Sequence, residues 1–188
     1  LVVQGHRFRN VPLDLQRLEQ RYSKELGKFS TKESADCHVF FGRFSPLSNH
    51  YKVDMKIDGV VYSSNEQYYC SAKARSAGDV ALEKKILQCS NPSDIKQMRK
   101  KLPESKSWKD SRVDIMMRGV RAKFDQHPNL KKLLLATGDC VLGEASPGDT
   151  YWGTGCALKH ANSLDPSTWA GENTLGRVLM EVRVALHG

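Results

Sequence analysis

The dipeptide Asp58-Gly59, flanked by Val53-Asp-Met-Lys-Ile57 and Val60-Val-Tyr62, constrains the fold more than any other local feature. A tight turn of the primed type needs positive φ, which Asp-Gly supplies, so the spacing predicts a β-hairpin. The aromatic stretch His38-Val-Phe-Phe-Gly-Arg-Phe44 reads as a strand ahead of it, and the polar loop Ser45-Pro-Leu-Ser-Asn49 separates the two. Beyond the hairpin the apolar spacing turns helical. Ser64 or Asn65 caps a helix through Ala77, Asp79 starts a second through Cys89, and Asn91-Pro92 starts a third carrying Ile95, Met98 and Leu102. A longer helix spans about 109–125, with Val113, Met116, Met117, Val120 and Phe124 as its core stripe. Pro128 opens another to Thr137, which Gly138 ends in a left-handed cap. Val141-Leu142 is a further strand, and Asn173 caps a last helix carrying Leu175, Val178, Leu179, Val182 and Leu186. Early strands, many helices and no βαβ alternation predict a predominantly helical α+β single domain with a small early antiparallel β-sheet.

Residues 1–37 read as an N-terminal extension, in which Leu15, Leu18, Tyr22 and Leu26 form one face of an amphipathic helix, and residues 38–188 as the domain proper. With 188 residues, 39% of them hydrophobic, the chain can bury one sizeable core, which argues against a two-domain enzyme. The five cysteines are widely spaced with no CxxC pair, and the six histidines show no HxH or HxxxH spacing. This argues against a disulfide framework and a protein-ligated metal, and suits an intracellular, reducing compartment. No apolar stretch approaches the length of a membrane span. The formal charge of +8 is concentrated: twelve Lys/Arg against four Asp/Glu lie between Lys84 and Lys123. From Asp139 onward the balance is acidic, six carboxylates to three bases. A basic surface beside an acidic site suits a phosphate-rich partner such as nucleic acid, although dispersed lysines also simply solvate helix faces.

On the 65–77 helix, Glu66 and Lys73 are seven apart, which brings them within about 20° of one face and about 10 Å along the axis. Both can reach one pocket beside Tyr69 and Cys70, where a carboxylate moves protons and a lysine of depressed pKa attacks a sugar anomeric carbon. The same pair equally fits a solvated helix face. Asp149 and Trp152 lie in a loop where Gly148, Gly153 and Gly155 allow close backbone approach to a ligand. An indole beside a carboxylate can stack a base or sugar and orient ribose hydroxyls; it can also be a Pro-Gly-Asp turn with a Trp closing the core. Arg43, Ser48 and Asn49 form a polar pocket wall or a solvated turn, and Asn173 an anion-receiving helix start or a simple cap.

Taken in order, FFGRFSPLSN at 40–49, the Glu66 to Lys73 helix with Lys73-Ala-Arg75, Lys123-Phe124, Gly143-Glu-Ala-Ser-Pro-Gly-Asp149, Trp152-Gly-Thr-Gly155 and Gly171-Glu-Asn-Thr-Leu-Gly176 resemble the NADAR family, the NAD- and ADP-ribose-associated domains. The resemblance runs from about Val39 to the C-terminus, and His50 departs from it where the family has an aromatic. It implies an N-glycosidase of α+β fold that needs neither metal nor other cofactor. Its expected substrate is ADP-ribosylated guanine in DNA, RNA or a free nucleotide, or alternatively a phosphoribosyl intermediate of riboflavin synthesis. It further implies Lys73 as a Schiff-base lysine, Glu66 as general acid/base and Asp149 as a third catalytic group. Trp152, Arg43, Phe44, Ser48, Asn49, Tyr69, Gly153 and Asn173 are expected around the substrate. A non-catalytic reader of ADP-ribose or nucleic acid is the alternative of another class.

Overall fold

The computed structural model describes residues 31–34, 36–100 and 102–187. The amphipathic helix expected over Leu15 to Leu26 lies outside the described residues. Among the described residues two small sheets form. Strand β1 (Thr31–Glu33) pairs antiparallel with β2 (Cys37–Phe40), and β3 (Met55–Ile57) pairs with β4 (Val60–Tyr62) through the expected hairpin. The turn has the positive φ its sequence predicts, 52° at Asp58 and 81° at Gly59. The aromatic strand β2 does not join that hairpin. Its other edge takes β5 (Val141–Glu144) in parallel, from Cys37↔Val141 to Phe40↔Glu144, so it is the central strand of a three-stranded mixed sheet. Cys37, Val39 and Phe40 are all buried, which fits a strand covered on both faces. Strand β1 falls within the stretch read from the sequence as an extension, and is nonetheless part of this sheet.

The helices are α1 (Asn65–Ser76), α2 (Val80–Gln88), α3 (Pro92–Arg99), α4 (Lys106–Gln126), α5 (Pro128–Ala136) and α6 (Thr174–His187). Their starts follow from local capping: Ser64, Asp79, Asn91 and Ser105 each accept a backbone N–H from the first turn. Helix α4 begins at Lys106 rather than near Lys109 because Ser105 caps it through the Trp108 N–H. Two short 3-10 turns, Ala161–Leu164 and Pro166–Thr168, break the loop between β5 and α6. The main core joins Phe40 of β2, Tyr69 of α1, Trp108, Met116 and Phe124 of α4, Leu134 of α5 and Leu179 of α6.

Helix α1 lies at the centre, against α2, α3 and α4, and buries Asn65, Glu66, Gln67, Ser71 and Lys73 alongside its aromatics. Buried polar groups are costly unless partnered, and this helix spends several on its surroundings. The Gln67 amide donates to the carbonyls of Ile86, Leu87 and Cys89, closing the C-terminal end of α2. Asn65 donates to Asn49 Oδ1 at 2.7 Å, tying α1 to the loop after β2. Gly119 of α4 faces Asn65 so closely that a Cβ there would stand 1.9 Å from Asn65 Oδ1.

Lys123 of α4 is fully buried and donates to the Ser48 carbonyl at 2.8 Å. Burial pulls its pKa down to about 7. Between that value and the ordinary lysine range the unfolded chain binds the extra proton, so this residue's contribution makes stability rise with pH. Lys123→Met is expected to abolish that rise between pH 7 and 9.5, as read from thermal midpoints. A variant that keeps the wild-type slope would place the titration elsewhere.

Candidate active site

The C-terminal end of β5, the loop after β2, α1, α3, α4 and the Gly-rich loop around Gly148, Gly153 and Gly155 converge on one small pocket. From α1 come Glu66 and Tyr69; from α3, Lys96 and Arg99; from α4, Met116. The loop after β2 supplies Asn49 and His50, and the β5 end and the Gly-rich loop supply Glu144, Ser146, Asp149 and Trp152. The helical spacing of Lys96 and Arg99 sets two cations on one face, one turn apart. Three carboxyl-bearing side chains and these two cations thus line one small space.

Local chemistry fixes these groups. Asp149 Oδ1 accepts the N–H groups of Tyr151 and Trp152, an Asx-type turn that fixes the Gly-rich loop. Trp152 is 7% exposed and makes edge-on contacts with Tyr69 and Tyr151, so it closes the core and walls the pocket at once. A Cβ on Gly153 would come within 2.9 Å of the Glu144 carbonyl oxygen, which explains a bare residue there. Glu66 is 5% exposed, accepts a hydrogen bond from Cys70 Sγ at 3.4 Å, and lies 3.9 Å from Arg99 Nε. That Nε is buried without a hydrogen-bond partner among the described residues, and the guanidinium also stands 5.5 Å from the Tyr69 ring centroid. Such a donor suits an anionic ligand.

The electrostatics divide the carboxyl groups. Burial, then the charges of Asp149 and Glu66, push Glu144 up to about 7 against the opposing pull of Lys96 and Arg99. Burial lowers His50 below the usual histidine value, with Glu66 opposing and Lys96, Arg99 and Lys123 assisting. Burial and the neighbouring Glu66 carboxylate hold Cys70 far above the normal thiol range, so it stays a thiol and no thiolate chemistry arises there. Tyr69 is likewise held protonated by burial.

The structure gathers Glu66, Tyr69, Asn49, Asp149 and Trp152 of the sequence-derived residues into the pocket lining. Lys73 is not in that lining. Its ammonium pairs with Glu104 and stands 5.8 Å from the Trp108 ring centroid, on the same helix but engaged elsewhere. Burial alone would raise the Glu104 carboxyl, and the Lys73 ammonium outweighs it, so Glu104 is held below the ordinary range. Ser48 Oγ accepts the His50 N–H, shaping the loop rather than facing the pocket. Arg43 and Phe44 are exposed on the same loop and stack on each other at 4.9 Å. Asn173, at φ 51°, accepts the Glu144 N–H and donates to the Leu142 carbonyl, so its side chain latches α6 to β5 instead of capping the helix. Sequence reasoning missed Lys96, Arg99, Met116, Glu144 and Ser146 as lining residues. The acidic block at 143–149 and the i,i+3 cations of α3 were the signals that could have found them.

The sequence signature of the NADAR domain matches residues 28–187. The chain belongs to the NADAR domain family. An N-glycosidase of Acanthamoeba polyphaga mimivirus is 35% identical to this NADAR chain over 156 residues, 82% of it and 91% of the viral protein. A riboflavin biosynthesis protein of Vibrio vulnificus is 34% identical over 142 residues, 74% of this chain but 35% of that protein. The NMR structure of Escherichia coli YbiA, a protein named N-glycosidase, superposes with a TM-score of 0.68 at 28% identity, covering 84% of this chain and 89% of that one. The NADAR fold and its α+β class therefore stand. Among the described residues, no helix is long and apolar enough to cross a membrane, and no group of His, Cys, Asp and Glu is placed to hold a metal ion.

Proposed function

We propose that this NADAR domain is an N-glycosidase that removes ADP-ribose from ADP-ribosylated guanine. The observation that carries the reading is the pocket itself, where Glu66, Glu144 and Asp149 share one space with Lys96 and Arg99. Cleaving a ribosyl C1″–N bond needs a proton for the departing base and negative charge beside the cationic sugar, which carboxyl groups provide. The same substrate carries phosphates on the sugar, which the two α3 cations complement. Trp152 and Tyr69 close the pocket wall on the ribose or base side, and Asp149 is assigned to the sugar hydroxyls. Arg43 and Phe44, outside the pocket on the loop that leads to Asn49, are assigned to the substrate beyond the ribose, with the exposed lysines between 84 and 123 along a nucleic-acid backbone. Glu66 is the central acid–base group.

In this reading Lys73 attacks the anomeric carbon of the opened ribose to form a Schiff base. For that the Lys73–Glu104 pair must open and the ammonium must lose its proton, since only the neutral amine is a nucleophile. Borohydride added during turnover is expected to trap a sugar adduct on Lys73, identified by peptide mass. An untrapped enzyme at full turnover would assign the attack to water.

The same carboxyl groups and cations also complement the phosphoribosyl intermediates of riboflavin synthesis, whose ribosyl-phosphate resembles the corresponding part of ADP-ribose, and one relative bears a riboflavin name. With both substrates at equal concentration, kcat/KM is expected to favour the ADP-ribosylated guanine oligonucleotide by at least about tenfold, because only it engages the basic surface. The reverse preference would move the function to the riboflavin intermediates.

A further inference from the structure

Glu144 had no place in the chemistry expected from the sequence, yet its setting differs from that of every other carboxyl group in the pocket. It ends β5, where its backbone is held on three sides: the N–H donates to Asn173 Oδ1, and the carbonyl accepts from Ser146 and Thr154. Its carboxyl group makes no hydrogen bond or ion pair with any described residue. Glu66, across the same pocket, has Arg99 at 3.9 Å and the Cys70 thiol at 3.4 Å. Asp149 has two backbone N–H groups on its Oδ1. Two carboxyl groups of one pocket therefore have a cation or hydrogen-bond donors beside them within the described residues, and the third has none in bonding contact.

We infer that Glu144 is the proton donor to the departing base, with Glu66 remaining the ionised partner that receives the proton shed by the attacking group. The assignment rests on the N-glycosidase reading above, and it holds whether Lys73 or water attacks. In the step, the C1″–N bond breaks and its electron pair passes to the base nitrogen. The Glu144 proton moves to that nitrogen, leaving a neutral amino group on guanine and a Glu144 carboxylate. The attacking nitrogen or oxygen bonds to C1″, and Glu66 takes the proton that it loses. Where Lys73 attacks, water then adds to C1″ and the C1″–Nζ bond breaks with its electron pair and a proton going to the lysine nitrogen; proton exchange with solvent resets both carboxyl groups. The charged and titratable groups that line the pocket with Glu144 are Glu66 and Tyr69 on α1, Lys96 and Arg99 on α3, His50 on the loop after β2, and Asp149. The two neighbouring carboxylates favour its protonated form, and the cations oppose it without pairing with it. Environments that separate two carboxyl groups in this way are how acid and base roles are divided at neutral pH.

The test compares Glu144→Gln with wild type on two substrates that share the ADP-ribosyl group. One is ADP-ribosylated guanine, whose departure requires a proton; the other is a 4-nitrophenyl ADP-riboside, whose leaving group departs as an anion. Glu144→Gln is expected to lose at least about 100-fold in single-turnover rate on guanine and less than about fivefold on the nitrophenyl substrate. The wild-type rate on guanine is expected to fall as pH rises above about 7, where Glu144 loses its proton, with no such limb for the nitrophenyl substrate. Equal losses on both substrates, or a variant within threefold of wild type on guanine, would overturn the assignment while leaving the N-glycosidase reading in place. A wild-type protein that releases nothing from either substrate would overturn the ADP-ribosyl reading and the assignment with it.

Discussion

Replacing Glu66 by Gln is expected to lower turnover by about 10³-fold while leaving the fold intact. The amide keeps the volume and the oxygen that accepts from Cys70, so the buried end of α1 has no cavity to collapse. What it loses is the negative charge that the proposed mechanism sets beside C1″, and the capacity to take a proton. It also removes one of the charges that raise Glu144, so any residual activity should begin its alkaline fall at a lower pH than wild type. Stopped-flow or quenched single-turnover rates across pH 5–9, with circular dichroism to confirm folding, measure both effects. A variant that retains a tenth or more of wild-type turnover would take Glu66 out of the chemistry and leave it as the electrostatic partner of Arg99.

The largest structural effect is expected at Gly176. A Cβ there would lie 2.0 Å from the Leu142 carbonyl oxygen and 2.4 Å from Asn173 Nδ2. Neither neighbour can yield cheaply: one is backbone in the middle of β5, and the other is the side chain that bonds Leu142 and Glu144. Gly176→Ala must therefore push the start of α6 away from the sheet, break the Asn173 latch and shift Glu144 with it. The cost is expected to exceed about 3 kcal/mol, in the range that overpacking combined with broken buried hydrogen bonds produces. For a domain of this size that is a fall of roughly 6–12 °C in Tm. A midpoint within 2 °C of wild type would mean that α6 has slack the packing does not reveal.

Much of this architecture could be read from the residues because it is set locally. Ser64, Asp79 and Asn91 cap the helices they precede, Asp58-Gly59 makes its turn, and Gly138 takes a left-handed φ of 54° at the end of α5, all within a few residues of chain. The pairing partner of β2 could not be read, because β5 reaches it after five intervening helices and no local signal selects a parallel neighbour so far along the chain. The site divides in the same way. Glu66, Asp149 and Trp152 lay on motifs whose chemistry is visible in sequence, and the structure sets them around one pocket. Arg99 and Lys96 looked like members of a solvated basic run, and only the packing of α3 against α1 turns them inward. Lys73 shows the converse: the helical spacing from Glu66 is as expected, but χ angles and the position of Glu104 decide where a long side chain ends, and neither is encoded in spacing.

Whether this pocket cleaves a ribosyl–base bond is decided by product analysis with the wild-type protein. An oligonucleotide carrying one ADP-ribosylated guanine is incubated with the enzyme, and the products are resolved by liquid chromatography and mass spectrometry. Free ADP-ribose and an oligonucleotide with its guanine restored are expected, in equal amounts and with one oxygen of solvent water in the ADP-ribose. An ADP-ribosylated guanine that persists through prolonged incubation, while the phosphoribosyl riboflavin intermediates also remain intact, would contradict the N-glycosidase reading.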